Sequence, residues 1–494
     1  MNKKIQKIII AGGGTAGWMT AAALSKSLGK LLDITLIESD EIRTVGVGEA
    51  TVPPMTTFHK LLGIDEQEFM RATAATFKLG ILFENWKLPN SDYIHSFGLT
   101  GKSTWLADFH HFWLHGLKRG IASDFGDYCL ELQASKQRRF AKSSTSDINY
   151  AYHLDASLYA KFLRKFSEAN GIKRVEGKIV DVNQHADSGF IESLRLDSGE
   201  LLEGDLFIDC TGFRGLLIEQ TLKTGYEDWT HWLPCDSAIA AQTESVGPPP
   251  AYTQATAHTA GWRWRIPLQH RVGNGLVYSS KFMSDDDART LFLNSIQGNL
   301  VNEPHVIKYK GGRRIKAWNK NCVAIGLSSG FVEPLESTSI HLIMMGVTRL
   351  LHLFPFNGIN NAFLEEYNHL TRVELEQIRD FIVLHYHATE REDSDFWRYC
   401  KNMDIPKTLQ QRIDLFTQNA HAYQDGGELF RVDSWTQVMF GQGIMPDNYH
   451  EFASLMSDRD LTHFFSMLKA TIASGVEKLP LHEDFIKQYC AMAK

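Results

Sequence analysis

The stretch Lys7-Ile8-Ile9-Ile10-Ala11-Gly12-Gly13-Gly14-Thr15-Ala16-Gly17 decides the fold of this chain. Its β-branched run predicts a buried parallel strand, because such strands are apolar on both faces. The residues that follow, from Trp18 to Leu28, are rich in Ala and Leu and predict a helix. A strand, a Gly-x-Gly-x-x-Gly turn and a helix in this order form the fingerprint of a dinucleotide-binding fold.

The glycines and a later acid explain how such a ligand is held. Gly12 allows the tight turn, Gly14 lets the backbone approach a pyrophosphate, and Gly17 lets helix and strand pack closely. The helix N-terminus at Thr15-Ala16 faces the anion. Glu38 ends the next strand 21 residues beyond Gly17, where an acid can accept hydrogen bonds from both ribose hydroxyls and disfavours a 2′-phosphate.

Three distant segments favour FAD over NAD as the ligand. They are the loop Val45–Pro54 with Gly48 and Ala50, the strand Asp205–Gly212 with Asp209, and the strand Asn321–Leu327 with Gly326 and Leu327. A nucleotide fold assembled from separated segments is typical of FAD-dependent monooxygenase-type proteins, whereas an NAD dehydrogenase usually completes its Rossmann unit contiguously. We therefore expect an α/β fold with a Rossmann-like FAD-binding core.

Composition excludes several other classes of protein. The 494 residues are 43% hydrophobic and 22% charged, which is ordinary for a globular protein. The net charge of −7 offers no basic field for nucleic acid. The six cysteines are scattered without a Cys-x-x-Cys pair, so neither a metal site nor a disulfide framework is expected. Without a signal peptide or a bilayer-length apolar run, the prediction is a cytoplasmic protein with no membrane partner.

A second stretch, Gly261-Trp262-Arg263-Trp264-Arg265-Ile266-Pro267-Leu268, is also distinctive. Residues two apart share a face of a strand, so Trp262 and Trp264 are expected to wall one side of a cavity. Pro267 has no N–H to give a sheet, so the strand must end there or run along an edge. Taken alone, the pattern is more typical of two core tryptophans.

These motifs together resemble one family, the flavin-dependent halogenases of the tryptophan halogenase type. The matches run from residue 8 to about residue 446. The motifs that carry the resemblance are Gly12-x-Gly14-x-x-Gly17, Gly46-Val47-Gly48-Glu49-Ala50-Thr51-Val52-Pro53, Thr76-Phe77-Lys78-Leu79-Gly80, Trp262-x-Trp264-x-Ile266-Pro267, Pro334-Leu335-Glu336-Ser337-Thr338 and Arg391-x-Asp393-x-x-Phe396-Trp397.

The resemblance implies a reaction that uses two sites. FADH2 delivered by a separate flavin reductase, O2 and chloride or bromide give hypohalous acid, which passes through an internal tunnel to an aromatic substrate. The resemblance places Trp262, Trp264, Ile266 and Pro267 between the flavin and the tunnel, where they keep an organic substrate away from the flavin.

Two residues are expected to carry the chemistry. Lys78, in a segment 71–78 that we predict to be helical, matches the family's essential lysine, although a single helix lysine is usually solvated. Glu336 matches the acid beside the substrate, where it polarises attack or takes the ring proton, although a glutamate before a helix often only complements the helix dipole. Thr338 and Ser339 offer N–H groups at a helix start as a halide site. The family usually has Thr-Gly there.

The resemblance also indicates the substrate walls. His95 and Phe97 match the His-x-Phe that packs against the substrate ring, and Trp435 matches the opposing tryptophan. Before Trp435, free-tryptophan halogenases have a tyrosine pair and an acid that grip the amino-acid end. The stretch 421–431 has one tyrosine and a Gly-Gly pair, so an indole-type substrate is at least as well supported as free tryptophan.

The remaining chain completes the predicted organisation. Residues 1–340 form the FAD-binding core, including a substrate-side sheet at about 235–320, and residues 341–494 form a mostly helical part packed on it. Residues 81–175 are expected to be helices and loops. Two alternatives stay open: an FAD-dependent aromatic monooxygenase and a flavoprotein that only binds. The oligomeric state is also open, with a homodimer as one option.

Overall fold

The computed structural model describes residues 4–41, 48–142 and 148–492. The strands are β1 (Lys7–Ala11), β2 (Asp33–Glu38), β3 (Glu49–Ala50), β4 (Thr76–Lys78), β5 (Gly80–Glu84), β6 (Asp92–Ser96), β7 (Ala151–Leu154), β8 (Lys173–Glu176), β9 (Ile179–Gln184), β10 (Ile191–Leu196), β11 (Leu201–Glu203), β12 (Leu206–Asp209), β13 (Tyr226–Asp228), β14 (Ser237–Thr243), β15 (Tyr252–His258), β16 (Gly261–Pro267), β17 (Val272–Tyr278), β18 (His305–Lys308), β19 (Gly312–Arg314), β20 (Trp318–Asn319), β21 (Cys322–Ala324) and β22 (Gly330–Phe331). The α-helices are α1 (Thr15–Leu28), α2 (Pro54–Leu62), α3 (Glu66–Ala72), α4 (Phe109–Lys118), α5 (Leu130–Lys136), α6 (Ala156–Ala169), α7 (Asp285–Ser295), α8 (Ser339–His352), α9 (Asn361–His387), α10 (Asp395–Asn402), α11 (Lys407–Asn419), α12 (Val432–Gly441), α13 (Asp458–Glu477) and α14 (His482–Tyr489).

A six-stranded sheet in the order β20-β21-β12-β1-β2-β8 forms the nucleotide-binding half. Strand β1 pairs in parallel with both β2 and β12, and its residues 8–11 are buried. Two of the three distant segments therefore join β1 in one sheet, as β12 and β21, whereas the segment Val45–Pro54 contributes β3 to a separate sheet with β7 and β4. The α/β fold with a parallel core sheet and a helical C-terminal part is confirmed.

A seven-stranded sheet in the order β18-β14-β17-β16-β15-β5-β6 lies beside the first and carries the two-tryptophan motif on β16. Strand β16 ends at Pro267, where the missing N–H stops the ladder. The expectation of only helices and loops over 81–175 is wrong, because β5 and β6 extend this sheet and β7 pairs with β3 and β4. Register Ile81↔His95 brings His95 onto it.

The predicted helix over 71–78 is also wrong. Helix α3 ends at Ala72, and Ala74 has a left-handed φ of 51°. Residues 76–78 then form β4, where Phe77 pairs with Tyr152 and Lys78 with Ala151. All three residues of β4 are buried, so the ladder and burial outweigh the helix propensity of the alanine-rich segment before them.

Helices dominate the chain from α8 onward, and α8 packs against α1 of the nucleotide half. The longest, α9, buries residues 378–386 at its C-terminal end. The division of the chain near residue 340 stays a prediction, since helices of the C-terminal part share a core with the first sheet. No helix among the described residues is long and apolar enough to cross a membrane.

Candidate active site

A cavity of about 760 Å³ lies over the carboxyl ends of the first sheet, where open α/β sheets bind ligands. It brings together most of the predicted flavin residues and the walls of the two-tryptophan motif. The predicted residues that line it are Gly12, Gly14, Thr15, Ala16, Glu38, Gly48, Ala50, Trp262, Trp264, Ile266, Gly326, Leu327 and Ser339. Gly46 and Val47 of the predicted loop lie outside the described residues.

The glycines of the fingerprint are required by close approaches. Gly12 has φ of 110°, and a Cβ there would lie 2.4 Å from the Cys210 carbonyl oxygen. A Cβ on Gly17 would lie 1.8 Å from the Gly12 carbonyl oxygen. Gly17 therefore supports the turn and does not itself line the cavity.

Two residues predicted to bind the flavin, Asp209 and Glu38, accept hydrogen bonds from other groups of the protein. Asp209 is buried and accepts hydrogen bonds from Thr211 and from the backbone N–H groups of Leu217 and Ile218, so it shapes the loop whose residues 210–214 line the cavity. Glu38 lines the cavity directly. Its oxygens accept from Arg174 Nε at 2.6 Å and from Trp18 Nε1 at 3.1 Å.

The cavity fits FAD. Helix α1 points its N-terminus into the cavity, its N-cap Gly14 gives no side-chain cap, and no acid occupies its first turn. Its amides therefore suit a pyrophosphate. Lys161, Arg164 and Arg214 add positive charge to the same wall. The far end is apolar and aromatic, as an isoalloxazine ring requires.

Lys78 does not line this cavity but is anchored to a residue that does. The side chain is fully buried, and Nζ donates to Ser337 Oγ at 2.7 Å and to the Thr51 carbonyl at 3.1 Å. Nζ also lies 5.1 Å from the centroid of the Phe97 ring. Burial lowers the pKa of Lys78 to about 7, with the nearby Glu336 carboxylate opposing that fall.

Glu336 is held between two histidines. Its Oε2 lies 2.8 Å from His95 Nδ1, and its Oε1 lies 2.9 Å from His385 Nε2. All three side chains are at most 2% exposed. Burial works to raise the pKa of Glu336, but the two imidazoles outweigh it and lower that pKa to about 2. We refer to His95, Glu336 and His385 as the carboxylate triad.

Sequence reasoning missed three residues of this site. His385 lies in the last turn of α9, and no local pattern indicates its contact with Glu336, which joins residues 49 apart in the chain. Ser337 has a left-handed φ of 61°, which turns its hydroxyl to Lys78. Glu333 directly precedes the motif Pro334–Thr338, three residues before Glu336, and this position is the sequence signal for it.

Glu333 anchors the first tryptophan of the two-tryptophan motif. Its Oε2 accepts from Trp262 Nε1 at 3.1 Å and from the Tyr386 hydroxyl at 2.5 Å. Trp262 and Trp264 lie 6.1 Å apart between ring centroids. Burial without a cationic partner raises the pKa of Glu333 to about 7. The neighbours His385 and Tyr386 thus hold the two buried acids of one loop.

The predicted substrate walls separate into two groups. His95 and Trp435 both pack against Phe381, at 5.6 and 4.8 Å between ring centroids, and Phe430 stacks on Phe381 at 3.8 Å. Arg412 covers Trp435, with its guanidinium carbon 4.4 Å from the ring centroid. Phe97 lies instead beside Lys78.

The predicted halide residues begin helix α8. Thr338 is the N-cap and Ser339 the first helical residue. Ser339 lines the flavin cavity, whereas Thr338 is buried and its Oγ1 has no hydrogen-bond partner in the described part of the chain. Pro267 is buried at the end of β16 and does not line the cavity. Among described residues, no cluster of three or more His, Cys, Asp or Glu could hold a metal.

Comparison with known proteins agrees with this geometry over nearly the whole chain. The family model for tryptophan halogenase matches residues 7–458. The chain is 36% identical to the tryptophan 7-halogenase RebH of Lentzea aerocolonigenes, with 99% of each chain covered. Among solved structures, Xcc4156, a flavin-dependent halogenase from Xanthomonas campestris, is 54% identical with a TM-score of 0.98 and 99% of each chain covered. BrvH, a flavin-dependent halogenase from Brevundimonas sp. BAL3, is 43% identical with a TM-score of 0.95, covering 98% of this chain and 99% of that one. The chain belongs to the tryptophan halogenase family and is an FADH2-dependent halogenating enzyme.

Proposed function

We propose that this enzyme halogenates an electron-rich, indole-type aromatic compound through Lys78 and Glu336. The observation that supports this most directly is the buried amine of Lys78, which donates a hydrogen bond to Ser337. Ser337 lines the flavin cavity, and its neighbour Glu336 is the acid of the carboxylate triad. A short protein-lined route between an oxidising site and an aromatic site is what a diffusible hypohalous acid needs.

The flavin cavity takes FAD as FADH2, held by the fingerprint glycines, Glu38 and the loop after Asp209. Bound reduced flavin supplies the electrons with which O2 converts chloride or bromide to hypohalous acid. The Gly-x-Gly-x-x-Gly fingerprint occurs once in the sequence, which supports a separate flavin reductase as the source of FADH2. Trp262, Trp264 and Ile266 wall the cavity and would keep the organic substrate out.

Lys78 is proposed to orient or carry the halogen. An ammonium donates a hydrogen bond to hypohalous acid and raises the electrophilicity of its halogen, whereas a neutral amine can form a haloamine. Because burial brings the pKa of Lys78 to about 7, both forms are accessible at neutral pH. Thr338 and Ser339, at the start of α8, are proposed to bind the halide.

The site before Trp435 supports a substrate without an amino-acid tail. Glu428, an acid in the stretch 421–431, accepts from Arg412 at 2.7 Å and from the backbone N–H of Asp425 at 3.1 Å. The single tyrosine, Tyr423, lies over the same Arg412. Both are therefore engaged by Arg412, which weakens the case for a grip on an amino-acid end group there. Indole or a substituted indole therefore fits better than free tryptophan.

Mass spectrometry of products tests this function. The enzyme is incubated with FAD, a reductase system, O2 and chloride or bromide, with indole and tryptophan in parallel. We expect a halogen isotope pattern on indole that disappears in Lys78→Ala and persists in the control Lys165→Ala, whose side chain is exposed on α6. An oxygen added to the ring, or full product from Lys78→Ala, would contradict the proposal.

Two further proposals accompany this one. The six cysteines are all free and buried, which supports the predicted cytoplasmic location without testing it. The homodimer also stays a prediction.

A further inference from the structure

We propose that a second cavity, on the opposite face of β16 from the flavin cavity, binds an aromatic carboxylate through Arg138 and Arg265. This cavity has a volume of about 410 Å³. Its walls are the two arginines, Tyr252 and the loop 246–250. The inference adds a binding site to the enzyme and does not depend on the proposed halogenation.

Strand β16 separates the two cavities. Trp264 and Ile266 line the flavin cavity, whereas Arg265, between them in the chain, lines the second cavity. This is the arrangement of a strand, in which successive side chains point to opposite faces of the sheet. Arg265 is therefore not one of the cations available to the flavin pyrophosphate, and a ligand bound to it lies across the sheet from the flavin.

The loop 246–250, with the sequence Val-Gly-Pro-Pro-Pro, is a wall held from the protein side. Arg138 donates from Nη2 to the carbonyl of Pro248. His482 Nδ1 lies 2.9 Å from the carbonyl of Pro249, which can only accept. Each proline also has a fixed φ. The wall is therefore formed before a ligand arrives, and little conformational entropy is lost on binding.

The two arginines have unused N–H groups. Among the described residues, neither guanidinium forms an ion pair, and Arg265 makes no hydrogen bond. Burial lowers the pKa of Arg265, the Tyr252 phenol opposes that fall, and the like charge of Arg138 adds to it. A guanidinium has five N–H donors. An anion between the two cations would relieve their repulsion and accept charge-assisted hydrogen bonds.

The protein does not place an acid of its own in this position. Two acids, Glu84 and Asp92, act on the pKa of Tyr252, but neither lines the cavity. The Oε2 atom of Glu84 already accepts from Gln254 Nε2 and from Thr256 Oγ1, at 2.6 Å each. Within the described part of the chain, the anion that matches the two arginines must therefore come from outside.

The remaining walls indicate an aromatic carboxylate and not a bare inorganic ion. Tyr252, Pro248 and Pro250 give the cavity flat apolar surfaces beside the two arginines, and an aromatic ring packs well on such surfaces. A planar carboxylate accepts two parallel N–H bonds from one guanidinium. The volume of about 410 Å³ lies within the range of small-molecule sites, which is more room than a single small ion fills.

Fluorine NMR of 4-fluorobenzoate tests this site. The probe is titrated into enzyme that holds an excess of FAD and indole, which occupy the flavin cavity and the aromatic site. We expect the wild type to bind the probe, benzoate to displace it, and Arg265→Gln to bind it at least about tenfold more weakly. Arg265→Lys keeps the charge but loses the planar fork, so its affinity should lie between those of the wild type and Arg265→Gln.

Arg263→Gln is the matched control. Arg263 lies on the same face of β16, two residues before Arg265, and does not line the cavity. The control removes the same charge, and we expect its affinity for the probe to stay within about twofold of the wild type because screening weakens distant charges. Thermal melts followed by circular dichroism establish that each variant is folded.

Several results would overturn the inference. They are equal weakening in Arg263→Gln and Arg265→Gln, binding of uncharged fluorobenzene as tightly as the probe, and absence of probe binding to the wild type below about 10 mM. Binding of inorganic phosphate without binding of 4-fluorobenzoate would overturn the assignment of an aromatic ligand. Failure of the wild type to halogenate any aromatic compound would instead overturn the proposed function and leave this site standing.

Discussion

Replacing Lys78 by methionine should stabilise the folded protein, and should do so increasingly as the pH falls. Methionine fills a similar volume without an amine, while wild-type Lys78 must be held in a site with no solvent exposure. The same substitution should abolish halogenation. The burial of the Lys78 amine should therefore appear as a lower free energy of unfolding in the wild type than in the variant.

The magnitude follows from the two pKa values. Burial lowers the pKa of Lys78 from 10.5 to about 7, so the unfolded chain binds this proton more tightly than the folded one. Stability is lost as the pH falls from 10.5 towards 7 and levels off below 7, where the full cost is about 5 kcal/mol at 1.4 kcal/mol per tenfold change. The same relation gives about 4.5 kcal/mol at pH 6.5 and about 2 kcal/mol at pH 9.

The assay is denaturant unfolding of wild type and Lys78→Met at pH 6.5 and pH 9, followed by tryptophan fluorescence. The difference in unfolding free energy should be larger at pH 6.5 by about 2.5 kcal/mol. The loss of the hydrogen bonds to Thr51 and Ser337 changes the unfolding free energy of the variant equally at the two pH values. It therefore cancels when the two differences are compared. Lys165→Met, at an exposed position of α6, is the control and should show no such change. An unfolding free-energy difference that does not vary with pH would refute the inference that burial lowers the pKa of the Lys78 amine.

Three further predictions concern the walls of the site. Gly12→Ala should abolish FAD binding in a fluorescence titration, because its Cβ meets a backbone carbonyl at 2.4 Å; Gly427→Ala, with open space around it, should bind normally. Arg412→Leu should lower the unfolding free energy by about 3–5 kcal/mol, because it leaves Glu428 buried without its partner, and an unchanged melting temperature would contradict this. Glu333→Leu should lower the unfolding free energy by about 2–4 kcal/mol, because it leaves a buried indole N–H and a buried phenol without an acceptor. Glu333→Gln should retain most of the stability at pH 7, and calorimetric scans of both variants would measure the difference.

Local sequence was sufficient for the nucleotide half. The Gly-x-Gly-x-x-Gly turn lies between β1 and α1 as predicted, because the φ of Gly12 and the contact of Gly17 with it are properties of neighbouring residues. The two tryptophans of β16 share a cavity wall for the same reason, since alternation along a strand is local. Trp435 and Glu336 were predicted from motif resemblance, and both are buried near one aromatic cluster.

The features that the sequence did not predict correctly depend on partners far along the chain. The segment before Lys78 is strand because β7, more than 70 residues later, supplies a ladder for it. His385 joins Glu336 from a helix 49 residues onward, and no local periodicity marks such a meeting.

The sequence by itself therefore determined the family and the cofactor turn, and it predicts Lys78 and Glu336 as the reacting side chains, because these depend on residue type and short spacing. Only the tertiary structure decided the protonation pattern. Burial perturbs the Lys78 amine, and packing of α9 against the loop of Glu336 closes the carboxylate triad. Desolvation and hydrogen-bond partnering are properties of the assembled core, and no short stretch of sequence encodes them.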